Sequence, residues 1–204
     1  MKIIPASYKI ETEINGTELL KQIESIGRTC YKSEDKITED SSIKFTQNLI
    51  DKGHEAMLEH NAITVRFTCD RGVSHELVRH RLASFAQEST RYCNYSKDKF
   101  SNELTFIKPI FWDKGCQGYN LWINAMRYAE YLYKDMIKKG ATPQEARTVL
   151  PNSLKTEIVM TMNLREWRHF FKLRVAVVAH PQMRELTIPL LEEFKTLIPI
   201  IFNI

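Results

Sequence analysis

Two hydrophobic periods alternate along the chain, and their order predicts its elements. Residues 2–13 alternate every second position and predict a strand. Leu19, Leu20, Ile23 and Ile26 then share one helical face, so Thr17 is read as the cap of a helix reaching about Gly27. A second helix is expected over about 41–52, ended by Gly53 and followed by the polar, histidine-rich turn GHEAMLEHN. The β-branched run ITVRFTC, residues 63–69, predicts a strand that DRG interrupts. From Ser74, the positions Leu77, Val78, Leu82 and Phe85 predict a helix, with QESTR as the loop after it. LTFIKPI (104–110) predicts a short strand. Residues 120–139 carry Trp122, Ala125, Met126, Ala129, Leu132 and Met136 at helical spacing and predict a long amphipathic helix.

Start signals fix the later elements. Thr142, Pro143 and Glu145 supply a cap, a proline at the first helical position and a capping box. LKTEIVMTM (154–162) predicts a strand, Asn163 caps the helix after it with Glu166 reaching back, and a last helix is expected over about 182–197. Strands and helices mix without a regular βαβ order. The expected fold is therefore α+β, with a central, largely antiparallel sheet packed by long helices. No repeat, low-complexity run or linker interrupts the chain, so one domain over 1–204 is expected.

Composition narrows the function classes. With 204 residues, 43% hydrophobic and 26% charged, the chain suits an ordinary globular core. Basic residues number 29 against 25 acidic and are spread over the chain, which argues against a nucleic-acid-binding module. That competing reading would show itself by binding that weakens steeply with salt. No apolar run nears the ~18 residues of a membrane span, and the N-terminus lacks the apolar block of a signal peptide. A cytoplasmic protein is expected. Cys30, Cys69, Cys93 and Cys116 form no CxxC, so neither a zinc site nor a redox pair is read. His54 and His60 do not have the i, i+4 spacing of HExxH, and no metal is expected. The seven glycines form neither GxGxxG nor GxxxxGK, so any nucleotide is held without a glycine-rich loop.

Candidate chemistry gathers in RHRLASFAQESTRY, residues 79–92. On a helix, Arg79 and Arg81 would lie about 200° apart, too far to serve one small ligand from one face. Beyond them, hydroxyls, turn amides and Arg91 make a phosphate cradle. A solvated basic helix with a polar loop explains the same residues and stays open. Arg174 shares a helical face with Trp167 and Phe170, which points it to a core or cleft where its charge needs a partner. A snorkelling or salt-bridged arginine is the alternative. Arg165 and His169 share a separate polar face, and Arg147 reads locally as a helix-end arginine. Ser89 has no evident base beside it. Catalysis by positioning, with a cofactor carrying the hard chemistry, suits this inventory.

Arg79, His80, Arg81, Ser84, Ser89 and Arg91 match every fixed position of RHRxxSxxxxSxR, and the chain resembles the flavin-dependent thymidylate synthase family. GHEAMLEH, ARTVLP and NLREWRHFFKLR resemble three further family segments in order, so the resemblance runs from about residue 50 to 185. It implies a homotetramer that binds FAD at a non-Rossmann site and makes dTMP from dUMP. Methylenetetrahydrofolate would supply the carbon, reduced FAD the hydride, and NADPH the electrons for the flavin. The resemblance puts His54, Ala56, Glu59, Arg79, His80, Arg81, Gln87, Asn163, Leu164, Arg165 and His169 at FAD. It puts Glu76, Arg79, Gln87, Glu88, Ser89, Thr90 and Arg91 at dUMP, with Arg147 reaching in from a neighbouring subunit. Arg174 would stand at the pyrimidine edge and stabilise charge developing on the ring. Ala56 departs from the Ser or Thr common in the family. Glu88 replaces a commonly apolar residue, so only its backbone N–H is expected to reach a ligand. The same scaffold admits a methylase or hydroxymethylase of another pyrimidine deoxynucleotide such as dCMP.

Overall fold

A proline makes the first departure from the expected order. The strand read over 2–13 is two strands, β1 (Lys2–Ile4) and β2 (Ser7–Ile10), because Pro5 has no N–H to continue a ladder. The computed structural model describes residues 1–97 and 100–204. Helix α1 (Gly16–Thr29) is capped by Asn15 rather than Thr17: the Asn15 Oδ1 accepts from the Glu18 amide at 3.2 Å. Tertiary packing fixes this start, since a Cβ at position 16 would collide with the Leu197 carbonyl oxygen. Next come α2 (Ser41–Asp51), a 3-10 turn over Glu55–His60 where a polar turn was expected, and β3 (Ala62–Asp70).

The largest departure follows. The helix expected from Ser74 through Phe85 begins earlier and ends sooner, as α3 (Arg71–Leu77), and residues beyond it form a strand, β4 (Ala83–Gln87). Asp70 starts α3 by accepting the Val73 amide at 2.8 Å. Leu82 turns the chain between the two with φ 61°, a left-handed conformation that a branched side chain adopts at a cost. Arg79 and Arg81 therefore do not lie on a helix, and the 200° argument lapses. β5 (Thr105–Ile107), α4 (Gln117–Lys138), α5 (Pro143–Ala146), β6 (Lys155–Asn163), α6 (Leu164–Arg174) and α7 (Pro181–Leu197) complete the order. The capping box of Thr142 and Glu145 is present as read.

The architecture is α+β. A four-stranded sheet has the order β2-β3-β6-β4, and β1 pairs with β5 in parallel, Ile3 opposite Phe106. β3 and β6 run antiparallel: the Thr64 and Thr161 hydroxyls meet at 2.9 Å and Arg66 reaches Glu157. Among the described residues no helix is long and apolar enough to cross a membrane.

The chain divides into two compact units. The first comprises Met1–Ser7, Arg66–Arg79 and Phe85–Val159. Its core is built on the apolar stripe of α4, with Trp122, Met126 and Tyr133 against Tyr95, Phe106 and Leu154. The second comprises Tyr8–Val65, His80–Ser84 and Met160–Ile204. Its core is an aromatic cluster of Trp167, Phe170, Phe171, Phe194 and Phe202, with mostly edge-to-face rings. Trp167 also donates its indole N–H to the Ile63 carbonyl at 3.0 Å, which seats α6.

Asn163 caps α6 as read, its Oδ1 accepting the Glu166 amide at 2.9 Å. Asn163→Ala is expected to cost about 1 kcal/mol of stability, lowering the thermal midpoint by roughly 2–4 °C for a protein of this size. A calorimetric melt with no shift would contradict that role.

Candidate active site

The first unit holds Glu76, Arg79, Gln87, Glu88, Ser89, Thr90, Arg91 and Arg147. These are the residues the resemblance puts at dUMP, except Arg174. Gln87 ends β4, and its amide nitrogen donates to the Ser74 and Thr156 hydroxyls at 2.9 and 3.3 Å. The chain then turns. The Ser89 carbonyl accepts from the Tyr92 and Cys93 amides, and the Ser89 hydroxyl accepts from the Arg91 amide at 3.3 Å. The exposed Arg91 guanidinium lies over the Tyr92 ring at 5.4 Å.

Glu88 behaves differently from the expectation. Its N–H donates to the Glu157 carbonyl at 2.9 Å, so the one group expected to reach a ligand is already engaged. Its carboxylate accepts from the Tyr95 hydroxyl at 2.8 Å and the Lys155 ammonium at 2.9 Å. Burial opposes the Lys155 charge, but hydrogen bonds to Glu157 and Glu88 outweigh it and hold the ammonium above its usual range. Burial and the Glu88 carboxylate push the Tyr95 hydroxyl up as well. Sequence reasoning missed this network. The two-residue period of β6 puts Lys155 and Glu157 on one face, which was the available signal.

The second unit holds His54, Ala56, Glu59, His80, Arg81, Asn163, Leu164, Arg165, His169 and Arg174. Glu59 and Arg165, both read as flavin contacts, pair with each other at 2.5 Å. Glu55, which the sequence did not single out, stands between Arg165 and the buried Arg168 at 3.7 and 3.2 Å. His54 is exposed and lines a cavity of about 180 Å³ with Tyr31, Phe45 and Lys52. Ala56 is exposed and has only a methyl to offer. Leu164 sits in the core: its side chain is fully buried, and its N–H donates to the Asn61 carbonyl at 3.0 Å. His80 is buried against Phe170, edge to face with centroids 4.8 Å apart. The Arg174 Nε–H donates to its Nε2 at 2.8 Å. Burial first, then the Arg174 charge and the proximity of His169, lower the His80 pKa to about 4, so the ring is neutral near pH 7.

Sorting the arginines exposes the chemistry. Arg28, Arg66, Arg165 and Arg168 are each paired to a carboxylate. Among the described residues, Arg79, Arg81, Arg91, Arg127 and Arg147 are exposed and meet no carboxylate, Arg127 reaching only the Asn124 side-chain oxygen. Guanidinium forks of this kind bind phosphate oxygens in pairs. Three of the five lie in residues 79–91. Arg79, Arg91 and Arg147 fit a nucleoside monophosphate in the first unit. In the second, Arg81, His54 and His169, all exposed, fit a ligand with a diphosphate and a ring rich in acceptors, as FAD is.

The family described as thymidylate synthase complementing protein matches residues 14–200. A flavin-dependent thymidylate synthase of Pyrococcus furiosus is 38% identical over 168 residues, covering 82% of this chain and 68% of that protein. One of Pyrococcus abyssi is 39% identical, covering 79% of this chain and 66% of that protein. One of Corynebacterium glutamicum is 32% identical, covering 98% and 84%. Among solved structures, a UMP/dUMP methylase of Streptomyces cacaoi bound with 5-Br dUMP matches with a TM-score of 0.80. That match covers 100% of this chain and 96% of that one at 21% identity, which carries the fold alone. With a family match across nearly its whole length and relatives of this identity, the chain belongs to the flavin-dependent thymidylate synthase family.

Proposed function

We propose that the chain catalyses the reductive methylation of dUMP to dTMP, with methylenetetrahydrofolate as carbon donor, reduced FAD as hydride donor and NADPH as reductant of the flavin. It acts as a cytoplasmic homotetramer. The observation that carries the reading is the clustering, within the signature segment 79–91, of three of the five exposed arginines that meet no carboxylate among the described residues. An exposed arginine is ordinary, but three collected within thirteen residues where a family nucleotide site is expected are best used by anionic ligands.

The leading amides of the Ser89 turn, the Ser89 and Thr90 hydroxyls and the Arg91 fork hold the dUMP phosphate. Arg147 adds a second guanidinium from a neighbouring subunit. Gln87 and Glu76 orient the nucleoside, and Glu88 keeps the turn in place through Glu157, Tyr95 and Lys155. Arg79 serves both the flavin and the nucleotide. His54, Ala56, Glu59, His80, Arg81, Asn163, Arg165 and His169 hold FAD, and Leu164 contributes by seating α6. When bound, the reduced flavin supplies the hydride that completes the methyl group. Arg174 stabilises the negative charge that develops on the pyrimidine ring during carbon transfer. No cysteine nucleophile is needed. Cys69 is fully buried, and burial pushes its thiol up, which makes it inert.

The test compares dUMP and dCMP with methylenetetrahydrofolate and the FAD-loaded, reduced protein. Turnover of dUMP with a flavin-coloured protein is expected. Protein that takes up no FAD, or turnover of dCMP in preference to dUMP, would overturn the reading.

A further inference from the structure

The hydrogen bond between Arg174 and His80 joins two residues far apart in the chain. Each end is held by other contacts. The Arg174 carbonyl, at the end of α6, accepts the Thr187 hydroxyl at 2.9 Å from α7, which fixes the backbone from which the side chain departs. The His80 ring is 8% exposed and packs edge-on against Phe170, itself locked in the aromatic cluster against Trp167 and Phe171. An arginine side chain has four rotatable bonds, and ordering it costs conformational entropy. An acceptor that is already rigid reduces what remains to be ordered when substrate arrives.

We propose that His80 is the positioning residue for Arg174: its imidazole Nε2 accepts the Arg174 Nε–H and fixes the direction in which the guanidinium faces the pyrimidine. This rests on the role of Arg174 given above. It also changes the reading of His80, whose place in the signature suggested contact with the flavin alone. A carboxylate at this position would hold the guanidinium too, but would subtract positive charge from it. A neutral imidazole orients the cation without subtracting charge of its own. The hydrogen bond also fixes the tautomer. With Nε2 as acceptor, the ring proton is on Nδ1.

Two substitutions separate positioning from simple packing. His80→Gln keeps a neutral acceptor, while His80→Leu keeps bulk and removes it. Loss of orientation at a reacting centre lowers turnover on the order of a hundredfold. His80→Leu is therefore expected to lose kcat on that scale with little change in KM for dUMP, and His80→Gln to recover most of the loss. A second readout needs no activity. Nitrogen-15 NMR of the unliganded protein should show His80 as the Nδ1–H tautomer. Its titration should lie near pH 4 and move upward in Arg174→Ala, because the neighbouring cation is gone. Equal loss in both His80 variants, or a His80 signal indifferent to Arg174→Ala, would overturn the proposal. Should the intact enzyme make no dTMP, the function reading fails instead, and the NMR measurement still decides the Arg174–His80 contact. It also decides if His80→Leu does not fold.

Discussion

Arg174→Ala is expected to lower turnover of dUMP by about two to three orders of magnitude, the effect of removing one preorganised donor from a developing oxyanion. Folding and flavin uptake should survive. The side chain is only partly buried at the last residue of α6, and two contacts that tie this helix end to α7 are made by its backbone: Thr187 donates to the Arg174 carbonyl and Arg184 to the Val175 carbonyl. Alanine leaves those hydrogen bonds intact and is itself a good helix former. Arg174→Lys should fall between, since it restores the charge but has no Nε–H directed at His80. The measurements are kcat with saturating dUMP and the thermal midpoint of each variant. Turnover within threefold of the unaltered protein would remove Arg174 from the chemistry.

Arg91→Ala has the second-largest expected effect, and a different one. A hydrogen bond between charged groups contributes about 1.5–3 kcal/mol, which is a tenfold to hundredfold rise in KM for dUMP. The turnover at saturation should change little, because a phosphate contact holds substrate and transition state alike. Deoxyuridine offers the control. It lacks the phosphate, so its binding should be nearly the same in both proteins. An equal loss for deoxyuridine would show that Arg91 supports the turn and does not hold the phosphate.

Much of the frame was legible because local rules and tertiary packing agree there. The Thr142–Glu145 capping box, the Asn163 cap and the alternation of β3 and β6 stand as read, whereas the buried stripe of α4 keeps Trp122, Met126 and Ala129 but runs through Tyr119 and Tyr133, with Ala125 exposed. Residues 78–87 were not legible. Leu77, Val78, Leu82 and Phe85 satisfy a helical period, while Ala83, Phe85 and Gln87 satisfy a strand period equally well. The turn that decides between them depends on a left-handed Leu82, which no propensity would place there. Asn15 and Thr17 are both good caps, and the choice is made by the close approach of Leu197 to Gly16.

The site was legible in its residue types and not in its pairings. Which arginines carry carboxylate partners depends on contacts across long stretches of chain, as between Glu59 and Arg165 or Arg66 and Glu157. The amide of Glu88 was expected to serve a ligand, but the sheet claims it. The helical face of Arg174 pointed it to a core or cleft where its charge would need a partner, yet the acceptor it meets, His80, could not be read from spacing.

The central claim is tested most directly by a single turnover without oxygen. FAD-loaded protein, reduced stoichiometrically, is mixed with dUMP and methylenetetrahydrofolate, and dTMP is counted against flavin. The account predicts dTMP approaching one per reduced flavin, and none when flavin is left oxidised or the folate is omitted. Reduced, FAD-loaded protein that forms no dTMP, or protein that forms it equally well without flavin, would contradict it.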